Sequence, residues 1–236
     1  MKVEIWSDVV CPWCYVGKRR FQQALGAFPH RDAVEVVWRS FELDPDAPAQ
    51  RQGPYGQHLA AKYGVEIDQA QQMMDGMTAT AAADGLEMRF DRARGGNTFD
   101  AHRLLHLAAA DGLQDVLQER LMCATFTEGA PIGDRDVLVR LAAEAGVDAE
   151  RARTVLSEGT YGDAVRADEE QARQFRISGV PFFAIDGTYG VAGAQPVDVL
   201  REALEQAWAE RGDTAPGPAT VGASAGSGCD DTSCTV

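Results

Sequence analysis

Cys11-Pro12-Trp13-Cys14 constrains this chain more than any other feature, because of what flanks it. Val3 to Ser7 (VEIWS) is short and rich in β-formers, whereas the residues after Pro12 carry a helical stripe, Val16, Phe21 and Leu25, against polar Lys18, Arg19, Arg20 and Gln22. Proline is welcome in the first turn of a helix, where its missing N–H would have had no partner. The cysteine pair therefore stands where a strand hands over to a helix. That helix closes near Phe28-Pro29, and Ala33 to Leu43 (AVEVVWRSFEL) reads as a second strand. The pattern β-α-β predicts a parallel pair joined by a crossover helix.

The location supplies a chemistry. Thiolate, not thiol, is the nucleophile, and the unpaired N–H groups and macrodipole at a helix N-terminus favour the anion. Two intervening residues bring the second sulfur within reach of a mixed disulfide formed by the first, so Cys11 reads as the exposed attacking thiol and Cys14 as the more buried resolving one. Pro12 stiffens the turn, and Trp13 adds an apolar face without charge. A histidine at that position would stabilise the thiolate further, so a less extreme oxidant than a Cys-Pro-His-Cys enzyme is expected. Zinc would need a second ligand pair, and no other C-x-x-C exists; c-type haem needs His after Cys14, where Tyr15 stands. No metal and no cofactor is expected.

After Asp44, Pro45, Pro48 and Pro54 mark a loop, and no convincing strand follows until about Phe182. Ala/Leu-rich helical segments run over Tyr55 to Tyr63, Asp68 to Ala83, Thr98 to Ala110, Gln114 to Thr127, Arg135 to Ala145 and Ala149 to Ser157, punctuated by Gly or Asp-Gly. A further helix, Gly162 to Phe175, precedes Gly179-Val180-Pro181. Phe182 to Ile185 and Tyr189 to Ala192 then read as a hairpin around Asp186-Gly187. Pro196 opens a last helix through Trp208, and the Gly/Ala/Ser/Pro-rich residues beyond Arg211 read as a flexible tail. The division expected is 1–52 with 159–211 as one discontinuous α/β domain, 53–158 as a helical insertion and 212–236 as the tail.

Acidic residues number 36 against 22 basic, a net charge of −14. Such a surface repels a phosphate backbone and offers anionic lipid no basic patch, so neither nucleic acid nor membrane is an expected partner. No apolar run is long enough to span a bilayer, and Lys2, Glu4 and Asp8 do not make a signal peptide. Five scattered cysteines are too few for a disulfide scaffold, which places the chain in the cytoplasm.

The CPWC at a first βα junction, with Gly179-Val180-Pro181 before a late strand, resembles the thioredoxin superfamily in its DsbA-like branch, and the helical insertion fits that branch. Asp8 to Gly17 (DVVCPWCYVG), Gly96-Asn97-Thr98 through Ala101-His102-Arg103-Leu104, and Gly179 to Phe183 with Gly193-Ala194-Gln195-Pro196 are similar to FrnE-type proteins. The resemblance implies a thioredoxin fold with a large all-helical insertion. It also implies a cis Pro181 lying against the cysteine pair, with Val180 pairing with an extended substrate backbone. Pro12, Trp13, Val180 and Pro181 become the expected substrate-binding residues. Val3 to Trp6 resembles the thioredoxin strand that carries a buried acid, so Glu4 is a candidate acceptor for the Cys14 proton; an exposed strand glutamate is the alternative, and Asp8 a competitor.

Cys229-Asp230-Asp231-Thr232-Ser233-Cys234 is a second thiol pair. The flexible stretch from Arg211 has an r.m.s. reach of roughly 20 to 25 Å. Tethering at that length gives an effective concentration of order millimolar, so Cys229 and Cys234 are read as a redox relay or a cap on the active site; an inert tail is the alternative. His102 and His106 share a helix face without an aligned third ligand, and read as helix histidines; Asn97 and His102 are carried over by resemblance as groove residues. Cys123 reads as a buried small hydrophobe among Leu117, Leu121 and Phe126, and Met73, Met74, Met77 and Met88 as core filling.

The resulting expectation is a thiol–disulfide oxidoreductase or disulfide isomerase acting on cysteine-containing proteins or peptides, with glutathione or thioredoxin as redox partners. Two alternatives stand beside it. One is a glutathione-dependent isomerase or transferase related to 2-hydroxychromene-2-carboxylate isomerase, which typically carries serine at the position of Cys11. The other is a peptide-binding chaperone that merely retains the thiols.

Overall fold

Two stretches far apart in sequence complete one four-stranded sheet. β1 (Lys2–Ser7) and β2 (Glu35–Ser40) pair in parallel, and the crossover between them contains α1 (Pro12–Ala27). β3 (Phe182–Ile185) runs antiparallel to β1, and β4 (Tyr189–Ala192) antiparallel to β3, giving the order β2-β1-β3-β4. The β3–β4 connection is three residues, with Asp186 and Gly187 both at positive φ and Thr188 N–H donating to Ile185 O at 3.1 Å, between the paired Ile185 and Tyr189. The structure is a computed structural model that describes residues 1–214, with side chains through Arg211. Cys229 and Cys234, and the expected tail beyond 214, lie outside the described residues, while 212–214, expected as tail, belong to the last helix.

Between β2 and the returning strands come α2 (Tyr55–Tyr63), α3 (Ile67–Ala83), α4 (Phe99–Ala110), α5 (Gln114–Cys123), α6 (Arg135–Glu144), α7 (Ala149–Glu158) and α8 (Gly162–Gln174); α9 (Val197–Thr214) follows β4. Alternation along β1 sends Val3 and Ile5 to a core with Phe21, Phe183 and Leu204, under α1 and α9. Trp6, on the other face, packs with Ala172 and Ile177. The insertion has its own core around Leu104, Leu117, Leu121 and Leu138. A third cluster, in which Cys11, Cys14 and Tyr15 meet Met77, Met88, Met122 and Phe126, joins the two. The cysteine pair sits at that seam.

Five expectations change. β2 is shorter than Ala33 to Leu43: Arg31–Ala33 winds as a 3₁₀ turn, and past Ser40 the backbone leaves the sheet, Leu43 N–H donating to the Asp8 carboxylate at 2.8 Å. α5 stops at Cys123 and passes into a π turn, Ala124–Glu128. α9 continues past Trp208, which stacks on His30 at 4.3 Å, to Thr214. Cys123 is half-buried, 4.0 Å from Glu128 Oε1, because it faces the rim rather than the core side of α5. Of the methionines, Met74, Met77 and Met88 are buried and Met73 is exposed.

Candidate active site

Cys11 is the N-cap of α1, with extended backbone, and its Sγ accepts the Cys14 N–H at 3.3 Å. The Cys11 N–H is tied to Asp8 O at 3.0 Å, which closes the turn between strand and helix. Its thiol donates to Val180 O at 3.6 Å. The Val180-Pro181 bond is cis, and Pro181 is buried against α1 at Gly17, where an added Cβ would lie 2.7 Å from Pro181 Cγ. Residues 169 apart in sequence are thereby brought to one sulfur. Trp13 stays 46% exposed beside them.

The two sulfurs are less different in access than the sequence implies. Cys11, expected exposed, is only 4% accessible, because Val180 and Tyr55 pack against the cluster that holds it; Cys14 is fully enclosed. Burial pushes the Cys14 thiol well up, the neighbouring Cys11 adds to the rise, and the Asp8 backbone and Ser7 side chain oppose it. Tyr55 is raised by burial and by Cys11, so its hydroxyl stays protonated as a neutral donor at the mouth of the site. A cavity of about 520 Å³ bordered by Asp8, Val10, Leu43, Tyr55, His58 and Thr98 opens at the turn that precedes Cys11, which does not itself line it.

Glu4 is not part of this constellation. It shares the sheet face of Trp6, opposite α1, where it pairs with Arg39 and, at 3.2 Å, with Lys2. Burial would raise its carboxyl, but those two cations outweigh burial and hold it below the usual range. The proton-acceptor role for Glu4 is therefore corrected: the strand's period of two aims it away from the cysteine helix. The competitor Asp8 contributes backbone to the pair, while its buried carboxylate faces Leu43 N–H and lies 3.4 Å from His102 Nε2. His106 meets a different carboxylate, Asp168, at 3.1 Å. Among the described residues no three ligating groups converge on a metal-sized space. Asn97 ties Pro45 O and Phe99 N–H rather than lining the cavity, and His102 reaches the site only through Asp8. Ser7, Tyr55 and Gln118, which do approach the pair or its supports, carry no motif that the sequence reading could have used.

The pattern of the DSBA-like thioredoxin domain matches residues 2–205. The chain belongs to this family. Among its relatives, the DSBA-like chain is 31% identical over 206 residues to YwbO of Bacillus subtilis, covering 86% of this chain and 94% of that protein. It is 52% identical to a probable DsbA oxidoreductase from Streptomyces coelicolor of known crystal structure, with a TM-score of 0.86 over 89% of this chain and 91% of that one. The fold is shared with the cytosolic disulfide reductase DsbM of Pseudomonas aeruginosa, at 20% identity and a TM-score of 0.62 over 89% of this chain and all of that one. Thioredoxin fold and helical insertion are thus properties of this DSBA-like chain.

Proposed function

We propose that the protein is a thiol–disulfide oxidoreductase in which Cys11 attacks and Cys14 resolves. The observation that carries this is the Cys11 sulfur at a helix N-cap, receiving the Cys14 N–H while the cis-Pro181 segment faces it. In the reductive direction Cys11 thiolate attacks one sulfur of a substrate disulfide, forming a mixed disulfide and expelling the other sulfur as thiolate. That thiolate takes the Cys14 proton. Cys14 Sγ then attacks Cys11 Sγ, forming the Cys11–Cys14 disulfide and releasing the second substrate sulfur, which is protonated by solvent. Oxidation of a dithiol client is the same path reversed.

Extended cysteine-containing peptides are the proposed clients, laid along Val180 with Pro12 and exposed Trp13 as apolar contacts. The cavity bordered by Asp8, Val10 and Tyr55 has room for a small thiol such as glutathione, and thioredoxin is a further exchange partner. The cytoplasmic placement rests on the sparse cysteines; no described helix is long and apolar enough to cross a membrane. Cysteine, rather than serine, at position 11 favours dithiol redox over glutathione-dependent isomerisation.

The test is trapping. Cys14→Ser should accumulate a mixed disulfide with a disulfide-bearing peptide, and Cys11→Ser should form none and lose insulin reduction; full activity in Cys11→Ser would refute the reading. Equilibration with glutathione gives the direction, a potential near about −270 mV marking a reductant and near about −120 mV an oxidant.

A further inference from the structure

The chain carries a net charge of −14, yet the uncommitted charge of one groove next to the cysteine pair is positive. The cavity at the turn before Cys11 meets a second one, of about 850 Å³, at Arg51 and Tyr55, which line both. The second cavity shares a wall with the active site: its residues Tyr55, Phe90 and Ala93 belong to or pack against the cluster that holds Cys11, the Tyr55 and Phe90 rings 5.0 Å apart. Its charged lining is Arg51, Arg92, Arg94, Asp91 and Glu128. Both acids are committed to arginines that do not line it, Asp91 to Arg89 at 3.0 and 3.1 Å and Glu128 to Arg120 at 2.8 Å. Arg51 is paired with Asp44 and lies over Gly95, where a Cβ would come within 3.1 Å of its Cδ. The other two arginines are open. Arg92 keeps only a 3.9 Å approach to the Asp91 that Arg89 already holds, and exposed Arg94 has no side-chain hydrogen bond or ion pair among the described residues.

We propose that this groove is a specificity subsite for the acidic flank of a client peptide, Arg92 and Arg94 pairing with its carboxylates while the client cysteine is at Cys11. This rests on the oxidoreductase reading above. An extended peptide advances about 3.3 Å per residue, so a short run leaving Cys11 crosses the first cavity past Tyr55 and enters the second. A guanidinium matches a carboxylate with two parallel N–H···O bonds and is weakly hydrated, which suits it to recognition at a partly enclosed wall. The body of the protein opposes such a client, because its net charge is negative. That repulsion is long-range and is screened beyond about 8 Å at physiological ionic strength, whereas the arginines act at contact. The two effects predict opposite preferences, so the groove's contribution can be separated from the field of the whole molecule.

The experiment is single-turnover reduction, by the pre-reduced full-length protein, of peptides that each hold a disulfide and differ only in one flank, which carries glutamates, glutamines or lysines. At low salt the glutamate peptide should be reduced about fivefold faster than the glutamine one, the upper end of what an exposed ion pair gives. The gap should narrow at about 1 M salt, where the screening length is about 3 Å. Moving the glutamates to the other flank should abolish the preference, because the groove lies to one side of Cys11. Both arginines are exposed, so the double variant Arg92→Gln, Arg94→Gln should fold normally and bring the glutamate-to-glutamine ratio to about one. Charge reversal, Arg92→Glu with Arg94→Glu, should turn the preference toward the lysine peptide. A wild-type protein that favours lysine on either flank would overturn the proposal, by showing that net charge alone selects clients. A glutamate preference that survives both double variants would overturn it too. If no peptide is reduced, the oxidoreductase reading falls and this proposal with it; reduction of all the peptides at one rate removes this proposal alone.

Discussion

His102 is buried beside two carboxylates, and the balance of forces on its ring has a consequence for stability. Burial pushes the imidazole toward neutrality, but Asp8 at 3.4 Å and Glu42 outweigh it, so the folded protein holds the His102 proton more tightly than the unfolded chain. Glu42 is raised as well, burial outweighing its pairing with Arg166. A raised folded value contributes stability that is complete below the unfolded pKa, about 6.5 for histidine, and is lost as pH rises through the folded one. Wild type should therefore exceed His102→Gln in denaturant stability most at about pH 6, and the gap should narrow by about pH 9, where an unpaired imidazole is neutral. A gap independent of pH would show that His102 acts through packing. None of this was readable from His102 and His106, whose spacing points only to a shared helix face.

At the scale of elements, the contact between α1 and the segment before β3 decides whether the site exists. Gly17 sits one turn past Cys14, and Pro181 fills the space a side chain would take. Gly17→Ala should push Pro181 off the helix, costing about 1–3 kcal/mol as overpacking does. Disulfide-reducing activity should fall by at least about tenfold, as misplacement of reacting groups does. A melt and an insulin assay on the same preparation separate the two effects; unchanged turnover would show that the Pro181 segment does not position substrate. The Pro12 helix start, the Asp-Gly hairpin and the Gly-punctuated insertion helices were legible because each is set by local periodicity or backbone preference. The C-terminal end of β2 was not, because the distant carboxylate of Asp8 takes the Leu43 N–H.

At the scale of the whole molecule, the carboxylate and backbone of one residue fasten sheet to insertion. Asp168 of α8 receives Ser40 N–H and Arg39 of the β2 edge, faces His106 of α4, and offers its backbone oxygen to Trp6 Nε1 at 3.0 Å. Burial raises its carboxyl, but His106, Ser40 N–H and Arg39 prevail and keep it ionised. Asp168→Ala should cost about 3 kcal/mol by stranding those partners. The loss should appear as one cooperative unfolding transition at lower denaturant; two separated transitions would mean that the insertion and the sheet domain fold independently.

The local half of this protein was determined by sequence alone. Pro12 at a helix start, a cysteine on either side of Pro12-Trp13, and strand alternation before them are short-range facts, and they placed a dithiol at a helix N-terminus in a β-α-β unit. Tertiary structure decided the environment of those sulfurs. The enclosure of Cys11, the turning of Glu4 toward Arg39, and the Gln118–Ser7 bond depend on residues 169, 35 and 111 apart in sequence meeting in space. No periodicity records such meetings, because they follow from how the sheet order and three cores pack together.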